Sequence, residues 1–395
     1  MRNFLFICVF LICLPPSVRA ENSLTLYGIV DIGVQYQSTR QNVTGTTESQ
    51  QFFGIANGVQ SGSRFGMRGV HDLGGGRESF FILENGFNSG NGTAAQGGRM
   101  FGRQATLSIR DKKLGQVDVG RQVNLATNYF LPLDPFSEGF GQANIGASFG
   151  STNTVRYSNM VLFQAQPTDG LTLGLGYSFA TEMTGLYLGN ASCTVATCQA
   201  TNAGYQFQAG NNLRAVTIGA KYIRGPLLLA AGYDQLQGPE NIPGGAPKPN
   251  PTAWVMGGLY NFEVVKVSVA YGQSRNGAWA GQPAGSGAAT GGMINDITLG
   301  AGAAFLPGYG SNSYFLGLAT PVERTTWLAS IQRMEPVGST LLSMDSAPQM
   351  IYSVGYLYNF TKRTNLYAYA SYADNYAMLK SAQSTVLGVG LRHQF

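Results

Sequence analysis

Charge is scarce in this chain. Asp, Glu, Lys and Arg together make up 11% of 395 residues, about half the usual share in a soluble protein. A solvated, disordered chain would be charge-rich and poor in aromatics, whereas this one carries 22 Phe and 20 Tyr. Histidine is limited to His71 and His393, so no HExxH pair exists. Gly74-Gly75-Gly76 lacks the continuation that a phosphate-cradling loop needs and reads as a turn. Beyond the N-terminus no stretch stays apolar for 18 residues, which excludes a bundle of membrane-spanning helices. Glycine is abundant, at 54 residues, but does not recur at every third position, so a collagen is excluded. No catalytic constellation, metal site or cofactor motif is found, and no enzyme activity is expected.

The first twenty residues have the pattern of an export leader. Arg2 is basic, Phe4 to Leu14 are mostly apolar, and Val18-Arg19-Ala20 places small residues at the cleavage positions. The apolar part is too short to span a bilayer. Residues 1–20 are therefore expected to be removed, leaving one domain, 21–395. Arg2 and Arg19 depart with the leader, lowering the formal charge of +5 by two. Cys8 and Cys13 depart as well, and Ile12 is too bulky for a lipoprotein site at Cys13. Cys193 and Cys198 remain in a polar segment, where an oxidising compartment favours a loop disulfide. A catalytic thiol pair would need a CxxC spacing at a helix start, and neither is present.

What recurs along the chain is alternation over 8 to 12 residues followed by a turn. Leu171, Leu173, Leu175, Tyr177 and Phe179 share one parity, and Thr172, Gly174, Gly176 and Ser178 the other. Period two means strands. The pattern continues to the last residue, where Leu387, Val389 and Leu391 oppose Gly388, Gly390 and Arg392. One soluble core cannot use so many half-polar strands. A closed transmembrane barrel uses them all, with the apolar side to lipid and the polar side to a wet lumen. Short turns alternate with long connections at 38–62, 122–151, 181–211 and 237–250, as in an outer-membrane barrel. Seventeen candidate strands can be counted, beginning near 24, 63, 77, 102, 115, 152, 171, 213, 227, 252, 264, 294, 311, 324, 350, 365 and 385. Both ends of the chain should lie on one side, which requires an even number. The Gly- and Ala-rich segment 294–305 is set aside into a loop over 274–310. Sixteen antiparallel strands are expected. The apolar stretch 301–306 is then left to pack on the barrel mouth or a neighbouring subunit.

Several segments resemble general porins of Gram-negative bacteria, of the type common in β-proteobacteria. Ser23-Leu24-Thr25-Leu26-Tyr27-Gly28-Ile29-Val30-Asp31 resembles that family's first strand. Ser61-Gly62-Ser63-Arg64-Phe65-Gly66-Met67-Arg68-Gly69 with Asp72-Leu73-Gly74-Gly75-Gly76 resembles its second strand and first turn. Leu83-Glu84-Asn85-Gly86-Phe87, Phe101-Gly102-Arg103-Gln104-Ala105, Val119-Gly120-Arg121-Gln122 and Asp134-Pro135-Phe136 follow in family order. The chain closes on Gly388-Val389-Gly390-Leu391-Arg392-His393-Gln394-Phe395. The resemblance implies an outer-membrane homotrimer of sixteen-stranded barrels, among lipid and lipopolysaccharide. It also implies that the third long connection folds inward to narrow each pore, and that a C-terminal aromatic, here Phe395, serves in assembly. The solutes would be ions and small hydrophilic molecules; no nucleic-acid partner is expected.

The candidate pore residues follow from parity and from that resemblance. Arg64 and Arg68 share a strand face, about 14 Å apart, opposite apolar Phe65 and Met67, so they face the lumen. The resemblance places Arg64, Arg68 and Arg103 on the basic wall of the constriction, with Arg156 a further candidate. Arg103 has the parity of Ala105, Leu107 and Ile109, so a bulge or the strand end must turn it inward. The third connection offers the acids Asp134 and Glu138, with Asp118 a helper from the wall; Asp31 has lumenal parity between Val30 and Ile32. Acids facing arginines would set up a transverse field that orients dipolar solutes. The three arginines outnumber the two loop acids, which leans weakly toward anions. The leading expectation is passive diffusion. The alternatives are a solute-selective porin, which needs a ladder of binding groups, and a plugged barrel acting as adhesin or receptor. Each charged residue also has a plainer reading, as a strand-end or loop charge.

Overall fold

Alternating side chains oblige each strand to find a partner on both edges, because an unpaired edge is intolerable in lipid. The computed structural model meets this requirement by closure. It describes residues 22–43, 46–181, 185–187, 199–200, 212–239, 249–279, 303–338 and 346–395. The leader, residues 1–20, and Cys193 and Cys198 lie outside the described residues.

Nineteen strands are described. They are β1 (Ser23–Val43), β2 (Thr46–Asn57), β3 (Arg64–Gly74), β4 (Arg77–Gly86), β5 (Gln104–Asp111), β6 (Gly115–Val123), β7 (Arg156–Thr168), β8 (Leu171–Ser178), β9 (Gly185–Tyr187) and β10 (Gln199–Ala200). The rest are β11 (Arg214–Arg224), β12 (Leu227–Gln237), β13 (Thr252–Asn261), β14 (Lys266–Ala278), β15 (Ala303–Val322), β16 (Thr325–Gly338), β17 (Gln349–Asn359), β18 (Thr364–Asp374) and β19 (Gln383–Gln394). Sixteen of them build the wall, all antiparallel: β1, β3 to β8 and β11 to β19. β1 pairs with β19 from Ile29↔Gln394 to Arg40↔Gln383, which closes the ring. β9 and β10 form a small ladder in a loop.

Two connections differ from the sequence reading. The first, 38–62, is mostly strand. β1 runs on to Val43 and β2 descends beside it, pairing from Val43↔Thr46 to Ile32↔Asn57. β3 then takes over the same flank of β1 from Ile29↔Arg64 downward. β2 and β3 thus lie end to end, with residues 58–63 folded in between. Asp31 holds that fold: Ser61 N donates to its Oδ2 at 2.7 Å and Tyr367 Oη to its Oδ1 at 2.7 Å. The second difference is 274–310. β14 continues to Ala278 and β15 starts at Ala303, the ladder crossing a bulge between Arg275 and Gly277 to reach Gly277↔Phe305 and Ala278↔Ala304. Residues 294–302 lie outside the described residues. Phe305 belongs to an interior apolar cluster with Trp279 and Tyr157, so it is neither lipid-facing nor free at the rim.

The two faces separate as alternation requires. Leu24, Leu26, Leu173, Leu175, Phe179, Leu387 and Val389 are exposed on the outside, while Asp31, Ser178, Thr217 and Asp234 are fully covered within. Aromatic pairs sit at both rims of the apolar band. Tyr260–Phe262, Trp327–Tyr356 and Tyr358–Phe360 lie toward the short turns, and Tyr177–Phe179 and Trp254–Tyr271 toward the long loops. On β13, Trp254 and Tyr260 are six residues apart, about 20 Å of strand. The short turns, the start of β1 and the end of β19 share one rim, the periplasmic one by the usual asymmetry of such barrels.

Phe395 extends the last ladder. Gly28 N donates to Phe395 O at 3.1 Å and Phe395 N to Gly28 O at 3.1 Å. Its half-exposed ring lies over Gly28 on the outer face, where any added Cβ would collide with it. Deleting Phe395 removes both bonds at the closing seam and the ring that covers it. The expected result is a clear drop in folded, membrane-inserted protein, read by heat-modifiable gel mobility of outer-membrane fractions; parent-level insertion would refute the assembly role.

Candidate functional site

The chain between β6 and β7 does not stay outside. Asn124 caps a short helix, Leu125–Phe130, accepting from Thr127 N through its side chain, as N-cap asparagines do. Asn124 Nδ2 donates to Asp234 Oδ2 at 2.9 Å, and Tyr157 Oη donates to Asp234 Oδ1 at 3.1 Å. Leu125 N donates to Thr217 Oγ1 at 3.1 Å and Tyr129 Oη to Gln164 Oε1 at 3.0 Å. These bonds fix the start of the segment to β7, β11 and β12. Its later part reaches the opposite wall. Gln332 Nε2 donates to Ala143 O at 3.1 Å and Asn144 O at 3.0 Å, Gln142 Nε2 to Ser371 Oγ at 3.1 Å, and Ser313 Oγ to Ser148 O at 2.6 Å. Segment 124–155 therefore crosses the interior from β7–β12 to β15–β18.

Small residues on the wall make room for it. Gly219 of β11 stands level with Gly174 of β8 and Gly232 of β12. A Cβ at Gly219 would lie 2.8 Å from the Tyr129 ring, and one at Gly232 would lie 3.0 Å from Ala126 Cβ. On the far side Phe140 packs edge-on against Tyr367 and Tyr369, with ring centroids 5.4 and 5.1 Å away, an arrangement that rewards aromatic pairs beyond their area.

The charged residues fall into groups that sequence spacing did not resolve. Arg103 precedes β5, so strand parity does not bind it. Its Nε meets Glu84 Oε1 at 2.7 Å on the inner face of β4, and the strand end resolves the conflict with Ala105 and Leu107. Arg156 begins β7; its Nε donates to Arg103 O at 3.0 Å and its Nη1 to Thr154 O at 3.0 Å. Arg64 donates through Nη2 to Ser61 Oγ at 2.8 Å and interacts electrostatically with Arg103, Glu84 and Arg392. Glu138, on the crossing segment, interacts with Arg156 and Arg103. Burial raises its carboxyl well above the ordinary range, and the neighbouring Asp134 adds to this.

Four candidates take other places. Asp134 turns into its own segment. Its Oδ1 accepts from Phe136 N at 3.0 Å, and its Oδ2 from Glu138 N at 2.8 Å and Ile145 N at 3.2 Å. Burial pushes its carboxyl up to about 6, against those three donors. It organises the segment and does not face the arginines. Asp118 lies lower on the wall, accepting from Gln116 Nε2 at 2.6 Å, about 10 Å of strand below Arg121. Arg68 faces inward but sits four residues below Arg64, its guanidinium 5.3 Å from the Phe80 ring centre. Asp31, lumenal by parity, is covered by residues 58–63.

Sequence reasoning missed Glu84 and Arg121. Glu84 has inward parity on β4 and was legible as such. Arg121 has outward parity, but it lies at a register shift between Gly120 and Gln122 where β7 carries the extra residue. Its Nε donates to Gly102 O at 2.7 Å and its Nη1 to Ser158 Oγ at 2.8 Å, and it interacts electrostatically with Arg156. Gly120 permits the shift with φ of 131° and no Cβ to strike Ala105 O.

Comparisons with known proteins agree with this architecture. A family model described as Gram-negative porin matches residues 8–377. An outer membrane porin protein of Bordetella pertussis is 41% identical, over 100% of both chains. Outer membrane porin protein 32 of Delftia acidovorans is 26% identical over 94% of this chain and 88% of its own. Among solved structures, the anion-selective porin from Comamonas acidovorans superposes with a TM-score of 0.66 at 23% identity, covering 95% of this chain and 100% of its own. The outer-membrane channel DcaP of Acinetobacter baumannii gives 0.62 at 12% identity, over 95% and 97%.

Proposed function

Because the chain belongs to the Gram-negative porin family, we propose that segment 124–155 narrows its pore and that Glu138 faces a basic wall of Arg64, Arg103, Arg121 and Arg156 across the opening. The protein is a porin-type channel of the Gram-negative outer membrane, not an enzyme. Within that function, the pore passes ions and small hydrophilic solutes down their gradients and weakly favours anions. The observation that carries this reading is the placement of Glu138, brought by a segment tied to both walls to within electrostatic reach of Arg103 and Arg156. Glu84 neutralises part of the arginine cluster, leaving it positive. The anion selectivity of the similar Comamonas acidovorans porin points the same way. A homotrimer embedded in lipid and lipopolysaccharide is the assembly proposed. Charges facing one another across a narrow lumen align dipolar solutes and their water without a tight site, and weak contacts are what passage requires.

Single-channel recording in planar bilayers tests the reading: large, stepwise, ohmic openings with a zero-current potential on the anion side are expected. A closed or cation-preferring pore would overturn it. Acidity gives a second readout. As pH falls from neutrality toward the ordinary carboxylate range, Glu138 takes up a proton, the negative side of the opening is lost, and anion preference rises. Glu138→Gln should already show the acid-like preference at neutral pH and respond far less to acid; an unchanged pH response in that variant would remove Glu138 from the opening.

A further inference from the structure

The inner wall holds a second basic region near the short turns. A recess of about 510 Å³ is lined by Arg110, Asp111, Lys112, Lys113 and Lys221 with Gln116, Gln164, Gln166 and Thr172. Arg110, Gln116, Gln164, Thr172 and Lys221 all have lumenal parity, each pairing across the ladder with an inward neighbour. The recess is thus inside the barrel, at its periplasmic mouth. On β5, Arg110 is seven residues from Arg103, about 24 Å of strand. That exceeds the Debye length of about 8 Å at physiological ionic strength, so the recess and the arginine cluster act as separate sites.

Its charges are unequal. Four cations share the lining with one carboxylate, Asp111, whose Oδ1 is spent on the turn, accepting from Lys113 N at 2.8 Å and Leu114 N at 3.1 Å. Arg110 is held in place: Nε donates to Gln116 Oε1 at 2.8 Å, Nη1 meets Glu78 Oε1 at 2.9 Å, and the guanidinium lies 5.0 Å from the Phe80 ring centre. Lys221 Nζ rests over the Tyr129 ring at 4.9 Å. Among the described residues, no carboxylate lies within ion-pair distance of Lys112, Lys113 or Lys221. Asp118 stands behind Gln116, one oxygen occupied by it. Gln164 gives its oxygen to Tyr129, which leaves its amide N–H groups as donors.

We propose that this recess is an anion station at the periplasmic mouth that takes small di- and tricarboxylates. Lys112 and Lys221, with Lys113 only partly offset by the neighbouring Asp111, supply the charge, and the amides and Thr172 supply neutral donors. The volume suits a molecule of several carboxyl groups better than a chloride ion. The proposal deepens the channel reading and rests on it for solute access. Tyr129 joins the station to the crossing segment, since the same ring meets Lys221 and Gly219.

The test uses single channels in 0.1 M KCl at neutral pH, each exposed to citrate on one side and then on the other. In the parent, citrate should block at a several-fold lower concentration from one side than from the other. Lys113→Gln with Lys221→Gln should raise the half-blocking concentration on that sensitive side at least fivefold and leave conductance in 1 M KCl near the parent value. Lys362→Gln, a turn lysine outside the recess, should change neither. Equal block from both sides in the parent, an unchanged half-blocking concentration in the double variant, or an equal effect of Lys362→Gln would each overturn the station. Inorganic phosphate blocking as well as citrate would overturn the polycarboxylate assignment. A parent that opens no channels would instead sink the channel reading itself.

Discussion

With Arg64 and Arg156 both replaced by glutamine, the zero-current potential across a salt gradient will move toward cations, strongly in dilute salt and hardly at all in 1 M salt. The reason is the geometry of the arginine cluster. Arg103 interacts with both Arg64 and Arg156, and among the described residues the carboxylates acting on these arginines are Glu84 and Glu138. A unit charge about 7 Å from a passing ion in water contributes about 0.6 kcal/mol, roughly a threefold change in local anion concentration for each charge removed. Screening decides the salt dependence. With a Debye length of about 30 Å at 0.01 M, most of that effect survives, whereas about 3 Å at 1 M leaves roughly a tenth. Glutamine places an amide at the level of the arginine Nε, so the Arg103 carbonyl keeps a donor while Ser61 loses the Arg64 Nη2 bond. Arg68→Gln is the internal comparison, being about 14 Å of strand lower and stacked on Phe80; its effect should be smaller. No shift at any salt in the double variant would mean that the cluster does not line the narrowest part.

The strands were legible because period two leaves a trace in every one of them, and lipid outside with water inside makes that trace strict. Arg64 and Arg68 could be placed inward on parity alone. Parity failed where the ladder is interrupted. Arg103 lies just beyond a strand end and Arg121 beside a bulge, and in both cases a local break, not the alternation, sets direction. In sequence the connections 38–62 and 274–310 read as loops because alternation becomes irregular there. β2 is polar along much of its length, and β15 begins in Gly and Ala. Asp134 and Glu138 could not be told apart in sequence, since both are acids four residues apart in one segment. The folded segment shows that Asp134 binds its own backbone; that Glu138 faces the arginines is the reading proposed above. The small residues of lumenal parity, Gly174, Gly176 and Gly219, were visible, but what they leave room for depends on a segment that returns across the barrel.

That room supports an opposed pair of substitutions. Gly219→Val should lower single-channel conductance by roughly a third, because overpacking displaces neighbours sooner than it compresses them. A valine there stands between the wall and the Leu125–Phe130 helix, and Tyr129 and Leu125 Cβ are already within about 3 Å of where its Cβ would lie. The bonds from Asn124 to Asp234 and from Gln332 to Ala143 and Asn144 remain. The helix is therefore pushed into the lumen and not released from it, and Gly219→Ala should do the same to a smaller degree. Asp134→Ala acts in the other direction. It leaves three backbone N–H groups without their acceptor, at about 1–3 kcal/mol for each one that stays buried, so the segment reorganises around Glu138 and the opening widens. Conductance should rise, with a broader spread among channels, while heat-modifiable mobility shows the barrel intact. If Gly219→Val conducts like the parent, the helix does not border the ion path. If Asp134→Ala narrows the pore, the carboxylate holds the segment open instead of holding it in place.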